Sequence, residues 1–154
     1  MFRLTKDSRQ YSILHAFTGV SGDGSWPKGE LFECPDGALY GVTSGGGVWG
    51  GSGIVYRLNK DGTGYEVLLS FSGLNGNGAV PYAGLVSLDG NAFFGTTLYG
   101  ITANAGMVYA LSTLPLPALG VSISVSASSN LVQFAATSDK STGSELAVDC
   151  FEQR

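Results

Sequence analysis

Four aromatic residues, Trp26, Trp49, Tyr82 and Tyr99, fall in or beside stretches that read as loops. Rings in such places can stack on a sugar or anchor a protein partner, since they bury much area at little entropic cost. The four are therefore the candidate binding face, with glycans, protein partners or further repeat units as occupants. Packing over the end of a sheet is the competing use of the same rings.

Residues suited to catalysis are few. His15 is the only histidine, and Cys34 and Cys150 are the only cysteines. A zinc site wants three or four His, Cys or carboxylate ligands, so no metal is expected. A nucleophile built from Cys34 and His15 is formally possible, but no G-x-S-x-G elbow accompanies it. Gly45, Gly47 and Gly50 satisfy G-x-G-x-x-G. A dinucleotide site needs those glycines to open a helix after a strand, whereas here they run into the strand pattern IVYRL. No cofactor is expected from them. Asp36-Gly37 and Asp89-Gly90 read as turns, in which aspartate bonds nearby backbone amides. Asp23-Gly24 and Asn77-Gly78 match in the same way. Glycoside hydrolysis would require two carboxylates with different roles in one cleft, and turn acids a repeat apart do not supply them. No catalytic residue is assigned.

The elements that must position these residues come from an internal repeat. YSILHAFTG at 11–19 returns as YEVLLSFSG at 65–73, an offset of 54. Pro27 and Leu31 return as Pro81 and Leu85, and Tyr40-Gly41 as Phe94-Gly95. Residues 53–58, GIVYRL, match GMVYAL at 106–111 with an offset of 53. FRLTKD at 2–7 resembles YRLNKD at 56–61, so the chain opens on the last strand of a unit. The repeat region is expected over 1–112: a partial unit 1–10, a unit 11–64 and a unit 65–112. Residues 113–120 read as a Pro/Leu linker, and 121–154 as a short β-rich tail.

Each unit reads as about four strands, near 11–17, 29–33, 38–43 and 53–58 in the first copy. The expected fold class is all-β, with antiparallel four-stranded units resembling β-propeller blades in an incomplete ring. A β-sandwich or an open repeat sheet is the alternative. In the tail, 121–126 could pair with 131–135, and 145–151 could form a last strand. Pairing of Cys34 with Cys150 stays open.

Composition narrows the function classes. Among 154 residues, 24 are glycine without a G-x-y period, which excludes collagen. Net charge is -4, with no basic stripe for a phosphate backbone, so nucleic acid is not an expected partner. No apolar run reaches the length of a membrane span. The start MFRLTKDSRQ lacks the apolar core of a signal peptide.

The order LHAFTG, PKGEL, PDGALYGVTSGG and GSGIVYRLNKDG resembles the GloVer-type tandem repeat of choice-of-anchor proteins. Phe71, Gly84-Leu85-Val86, Asp89-Gly90, Phe94-Gly95-Thr96-Thr97 and 106–111 carry it in the second unit. The resemblance covers about 2–111 and implies a secreted or surface-attached bacterial repeat protein, with no catalytic residues to transfer. The expected function is non-catalytic binding of a carbohydrate or protein. The alternative is a polysaccharide lyase or glycoside hydrolase fragment.

Overall fold

The computed structural model describes residues 1–7, 10–73, 77–100 and 105–113, and the backbone of two strands within 123–136. The chain divides into two compact units, Met1–Leu111 and Ser112–Arg154.

The first unit holds three antiparallel sheets. β1 (Phe2–Leu4) pairs with β2 (Tyr11–Ile13) in a short N-terminal sheet. The central sheet has the order β3-β4-β5-β6, from β3 (Gly24–Glu33), β4 (Ala38–Gly46), β5 (Ile54–Asn59) and β6 (Glu66–Ser70). In the third sheet, β9 (Ala92–Tyr99) pairs with β10 (Met107–Ser112) on one side. On its other side it pairs with the short strands β7 (Ala79–Pro81) and β8 (Val86–Ser87). Together β7 and β8 repeat β3, whose own pairing with β4 is interrupted between Lys28 and Phe32. Among the described residues no helix is long and apolar enough to cross a membrane.

The sheets lie face to face because the central one is apolar on both sides. Ile54, Tyr56 and Leu58 of β5 pack with Met1, Leu14, Phe17, Tyr65 and Val67. Tyr40, Val42 and Val55 face the opposite way and pack with Leu85 and with Phe93 and Tyr109 of the third sheet. The Tyr40 and Phe93 rings stack with centroids 4.4 Å apart. Val42, Ile54, Val55 and Leu58 are fully buried, each contributing about 1.5–3 kcal/mol. The exposed Arg57–Asp36 pair, by comparison, contributes at most ~1 kcal/mol. Apolar layering holds this unit together.

The expected propeller-like blades do not form. Among the described residues no sheet closes on itself into a ring or barrel. The expected four strands of one repeat also do not make one sheet. β6 belongs by sequence to the second repeat, yet it pairs with β5 of the first, Ile54 opposite Ser70 and Arg57 opposite Glu66. β1 and β2 pair in the same manner one unit earlier. Each opening strand thus completes the sheet before it, and two such units yield open layers with no ring to close.

The repeated Tyr-Gly and Phe-Gly pairs have a steric cause. Gly41 lies opposite Tyr56 in the ladder, and a Cβ there would meet the Tyr56 ring, 2.6 Å from Cζ. Gly95 stands in the same relation to Tyr109. Asp36-Gly37 and Asp89-Gly90 form turns: Asp36 Oδ1 accepts from Ala38 N at 2.9 Å, and Asp89 Oδ1 from Asn91 N at 2.8 Å. Gly37 has a φ of 84° with open space around it.

In the second unit, β11 (Ile123–Ser128) and β12 (Leu131–Ala136) form an antiparallel hairpin with Ser128 opposite Leu131. Residues 114–120 of the expected linker, the expected strand at 145–151 and Cys150 lie outside the described residues.

Gly41→Ala and Gly95→Ala should each destabilise the fold by about 1–3 kcal/mol, because the aromatic ring across the ladder has nowhere to go. Gly37→Ala meets no neighbour, and should cost only the ~1–2 kcal/mol of a left-handed backbone. Urea midpoints of the three variants would test this; neutral or stabilising substitutions at Gly41 and Gly95 would contradict the steric account.

Candidate functional site

The chain turns from each opening strand into the next sheet through one recurring loop. In the first unit Asp23 accepts from Thr18 N at 2.7 Å, Thr18 Oγ1 at 2.9 Å and Gly24 N at 2.7 Å. In the second, Asn77 Oδ1 accepts from Ser72 N at 2.9 Å and Ser72 Oγ at 2.8 Å. The amide of Asn77 also donates, to Ser70 O. A carboxylate has no proton to donate there and carries spare lone pairs instead.

Two side chains fill those lone pairs. Tyr65 Oη donates to Asp23 Oδ1 at 2.6 Å, and His15 Nε2 lies 3.2 Å from the same oxygen. The His15 ring stacks on Tyr65 with centroids 3.7 Å apart and meets Phe17 edge-on. Burial alone would raise the Asp23 carboxyl. Its donors, Tyr65, Thr18 and His15, outweigh burial and hold it well below the usual carboxylate range. Burial, reinforced by the bond to Asp23, pushes the Tyr65 phenol up. Asp23, Tyr65, Ser21, Gly22, Val48 and Ser70 line an open groove of about 400 Å³. The cluster joins a fixed anion, an imidazole and a phenol at one surface.

Sequence reasoning did not assemble this cluster. Its signal lay in two coupled departures between the copies, His15 for Leu69 and Asp23 for Asn77. Both polar replacements fall in the first unit, where each serves the other.

The four candidate aromatics are exposed, and no ring contact among the described residues joins any two of them. Trp26 lies on β3 with 73% of its surface in solvent, and its ring covers Gly45 of β4. Its backbone is left-handed, with φ of 54°, as is Val80 at 58° one repeat later. Both precede proline, and a non-glycine residue pays about 1–2 kcal/mol for that conformation. Tyr99 occupies the repeat position of Gly45, opposite Ala79. The copies therefore supply one large ring near this corner from opposite strands, Trp26 over Gly45 and Tyr99 opposite Ala79. Trp49 sits in the turn between β4 and β5.

Tyr82 has a partner the sequence did not reveal. Lys28 Nζ donates to Tyr82 Oη at 3.4 Å and stands 4.7 Å from the ring centroid. The two share a repeat position, and they meet because the β3 bulge at Gly29 touches the backbone at Gly84.

The remaining candidates separate. Cys34 is buried between the central and third sheets, where its thiol donates to Gly90 O at 3.3 Å and burial pushes its pKa up. His15 is engaged with Asp23 and Tyr65, so the formal Cys34–His15 pair is not assembled. The glycine cluster lies at the end of β4 and in the turn into β5, with no helix for a phosphate to cap. Among the described residues no group of three or more His, Cys, Asp or Glu could hold a metal.

The Asp23 network makes stability depend on pH in a defined direction. Its folded pKa is depressed, so its contribution is present above the unfolded value near ~4 and lost as pH falls. Asp23→Asn keeps the turn, as Asn77 does, but removes the charge. The wild type should exceed the variant by about 2 kcal/mol at neutral pH, the difference shrinking below pH ~4. Urea unfolding across that range checks it; a pH-independent difference would refute the charged-acceptor account.

No curated protein and no solved structure matches the chain. A family model described as the Gloeobacter/Verrucomicrobia repeat matches residues 1–147. That span includes both copies of the Tyr-on-Gly ladder and both Asp/Asn loops, and the chain belongs to the Gloeobacter/Verrucomicrobia repeat family.

Proposed function

We propose that the chain is a non-catalytic glycan-binding repeat module whose contact edge is Trp26, Lys28 and Tyr82. The observation carrying this reading is the Lys28 ammonium held against the Tyr82 ring and hydroxyl, two residues from the exposed indole of Trp26. A pyranose presents C–H bonds that stack on such rings and hydroxyls that an ammonium can engage. The bulge contact at Gly29 and Gly84 fixes the edge before a ligand arrives, which lowers the ordering cost of binding. Trp49 and Tyr99 add exposed aromatic surface elsewhere.

Titration calorimetry with a soluble neutral glucan and a uronate-bearing polysaccharide tests the reading. Trp26→Ala or Tyr82→Ala should weaken binding about tenfold, equivalent to ~1.4 kcal/mol. Affinities unchanged after both Trp26→Ala and Tyr82→Ala would sink this contact edge. Binding of a protein but neither glycan would reassign the partner.

The second reading, an enzyme acting on polysaccharide by lyase or hydrolase chemistry, takes support from the groove lined by Asp23 and Tyr65, with His15 bonded to Asp23 behind them. Against it, the Tyr65 proton is committed to Asp23, and Asp23 is engaged by five donor groups. Release of unsaturated or reducing ends by the wild type, abolished in His15→Ala, would establish this alternative.

A further inference from the structure

The three sheets of the first unit stack with one polarity, and that polarity leaves two unlike apolar faces at the ends. In the central sheet, Tyr40, Val42 and Val55 point toward the third sheet and are covered by it. The repeat equivalents of Phe32, Cys34, Tyr40 and Val55 are Val86, Leu88, Phe94 and Val108. On the third sheet Leu88 is 80%, Val86 64% and Val108 48% exposed.

The N-terminal sheet shows the complementary face. Tyr56, Leu58, Tyr65 and Val67 of the central sheet point back toward the layer before it. Their equivalents one unit earlier are Phe2, Leu4, Tyr11 and Ile13. These cross-strand neighbours share a face, with Phe2 opposite Ile13 and Leu4 opposite Tyr11, and each is between 61% and 64% exposed. Inside the chain, residues of these same classes bury one another twice.

We propose that a second copy of this chain docks head to tail, its Phe2/Leu4/Tyr11/Ile13 face covering the Val86/Leu88/Phe94/Val108 face of the first. The internal interface between the central and third sheets is the template. There Tyr109 and Leu111, the equivalents of Phe2 and Leu4, pack in the layer containing Val55, the equivalent of Val108. The contact is heterologous, so each copy keeps one free face of each kind and association continues beyond two chains. The two-stranded N-terminal sheet covers only the part of the face nearest β10, so the contact is weak and strengthens with concentration. This inference is independent of the glycan-binding reading.

Sedimentation velocity of the full chain from low to high micromolar loading tests it. The wild type should shift to larger species with concentration. Val108→Asp, or Leu88→Asp at a more exposed position, removes one face; Ile13→Asp removes the other. Circular dichroism and a cooperative melt establish that each variant is folded. Each variant alone should remain monomeric at the highest loading. Mixing Val108→Asp with Ile13→Asp should restore a dimer and nothing larger, since only one pair of intact faces then remains. A wild type monomeric throughout, a folded variant that associates like the wild type, or a mixture that stays monomeric would each overturn the proposal. Loss of association in the Val108 variant with association retained in the Ile13 variant would likewise overturn it, by indicating a symmetric contact.

Discussion

A sheet with apolar side chains on both faces cannot stay in water as a single layer, and β4 and β5 make such a sheet. Val55 lies in one core cluster while its neighbours Ile54 and Tyr56 lie in the other. Burying only one side would leave several large side chains hydrated, at about 1.5–3 kcal/mol each. The layer before and the layer after are therefore required, whatever the loops do. The close fit adds a second requirement. A tyrosine ring laid across the neighbouring strand needs a glycine beneath it, and the Tyr56–Gly41 and Tyr109–Gly95 pairs meet it twice.

The offset between repeat and sheet follows from the same need. Because β6 completes the sheet of the preceding repeat, the loop after it must carry the chain across to the next layer. The Asp23 and Asn77 side chains organise that crossing by bonding the Thr18 and Ser72 amides, which would otherwise lose their partners as the strand ends. Neighbouring units are thereby joined through strand pairing as well as through apolar contact. An isolated repeat cut at its sequence boundary would lack its closing strand.

Strand positions were largely legible in the sequence, since alternation and the 54-residue offset mark them directly. The expected strands at 38–43 and 53–58 correspond to β4 and β5. The expected opening strand at 11–17 shortens to β2, because the chain leaves the ladder near Leu14, whose amide bonds to Met1 O. The expected strand at 29–33 extends back to Gly24, past a left-handed Trp26 and a glycine bulge that no alternation pattern registers. Sheet membership was not legible at all. Periodicity reports which residues share a face but not which strand lies alongside, so the repeat boundary does not mark the sheet boundary, and periodicity alone predicts an incomplete propeller ring in place of open layers.

The candidate site was legible only in its aromatic residues, and the reason lies in how repeats diverge. Positions that coincide between copies, such as Asp36 and Asp89 or Gly41 and Gly95, serve the framework both copies share. Chemistry specific to one copy must sit where they differ. Trp26 against Val80, Gly45 against Tyr99, Lys28 against Tyr82, His15 against Leu69 and Asp23 against Asn77 are such differences. Several are coupled: Trp26 covers Gly45, Lys28 meets Tyr82, and His15 meets Asp23. A divergence that built only packing would conserve volume and polarity together. The Asp23 replacement instead introduces a charge that the Asn77 loop shows to be unnecessary for the turn, and its added acceptor capacity is taken up by His15 and Tyr65, so in the first copy one polar substitution is supported by another.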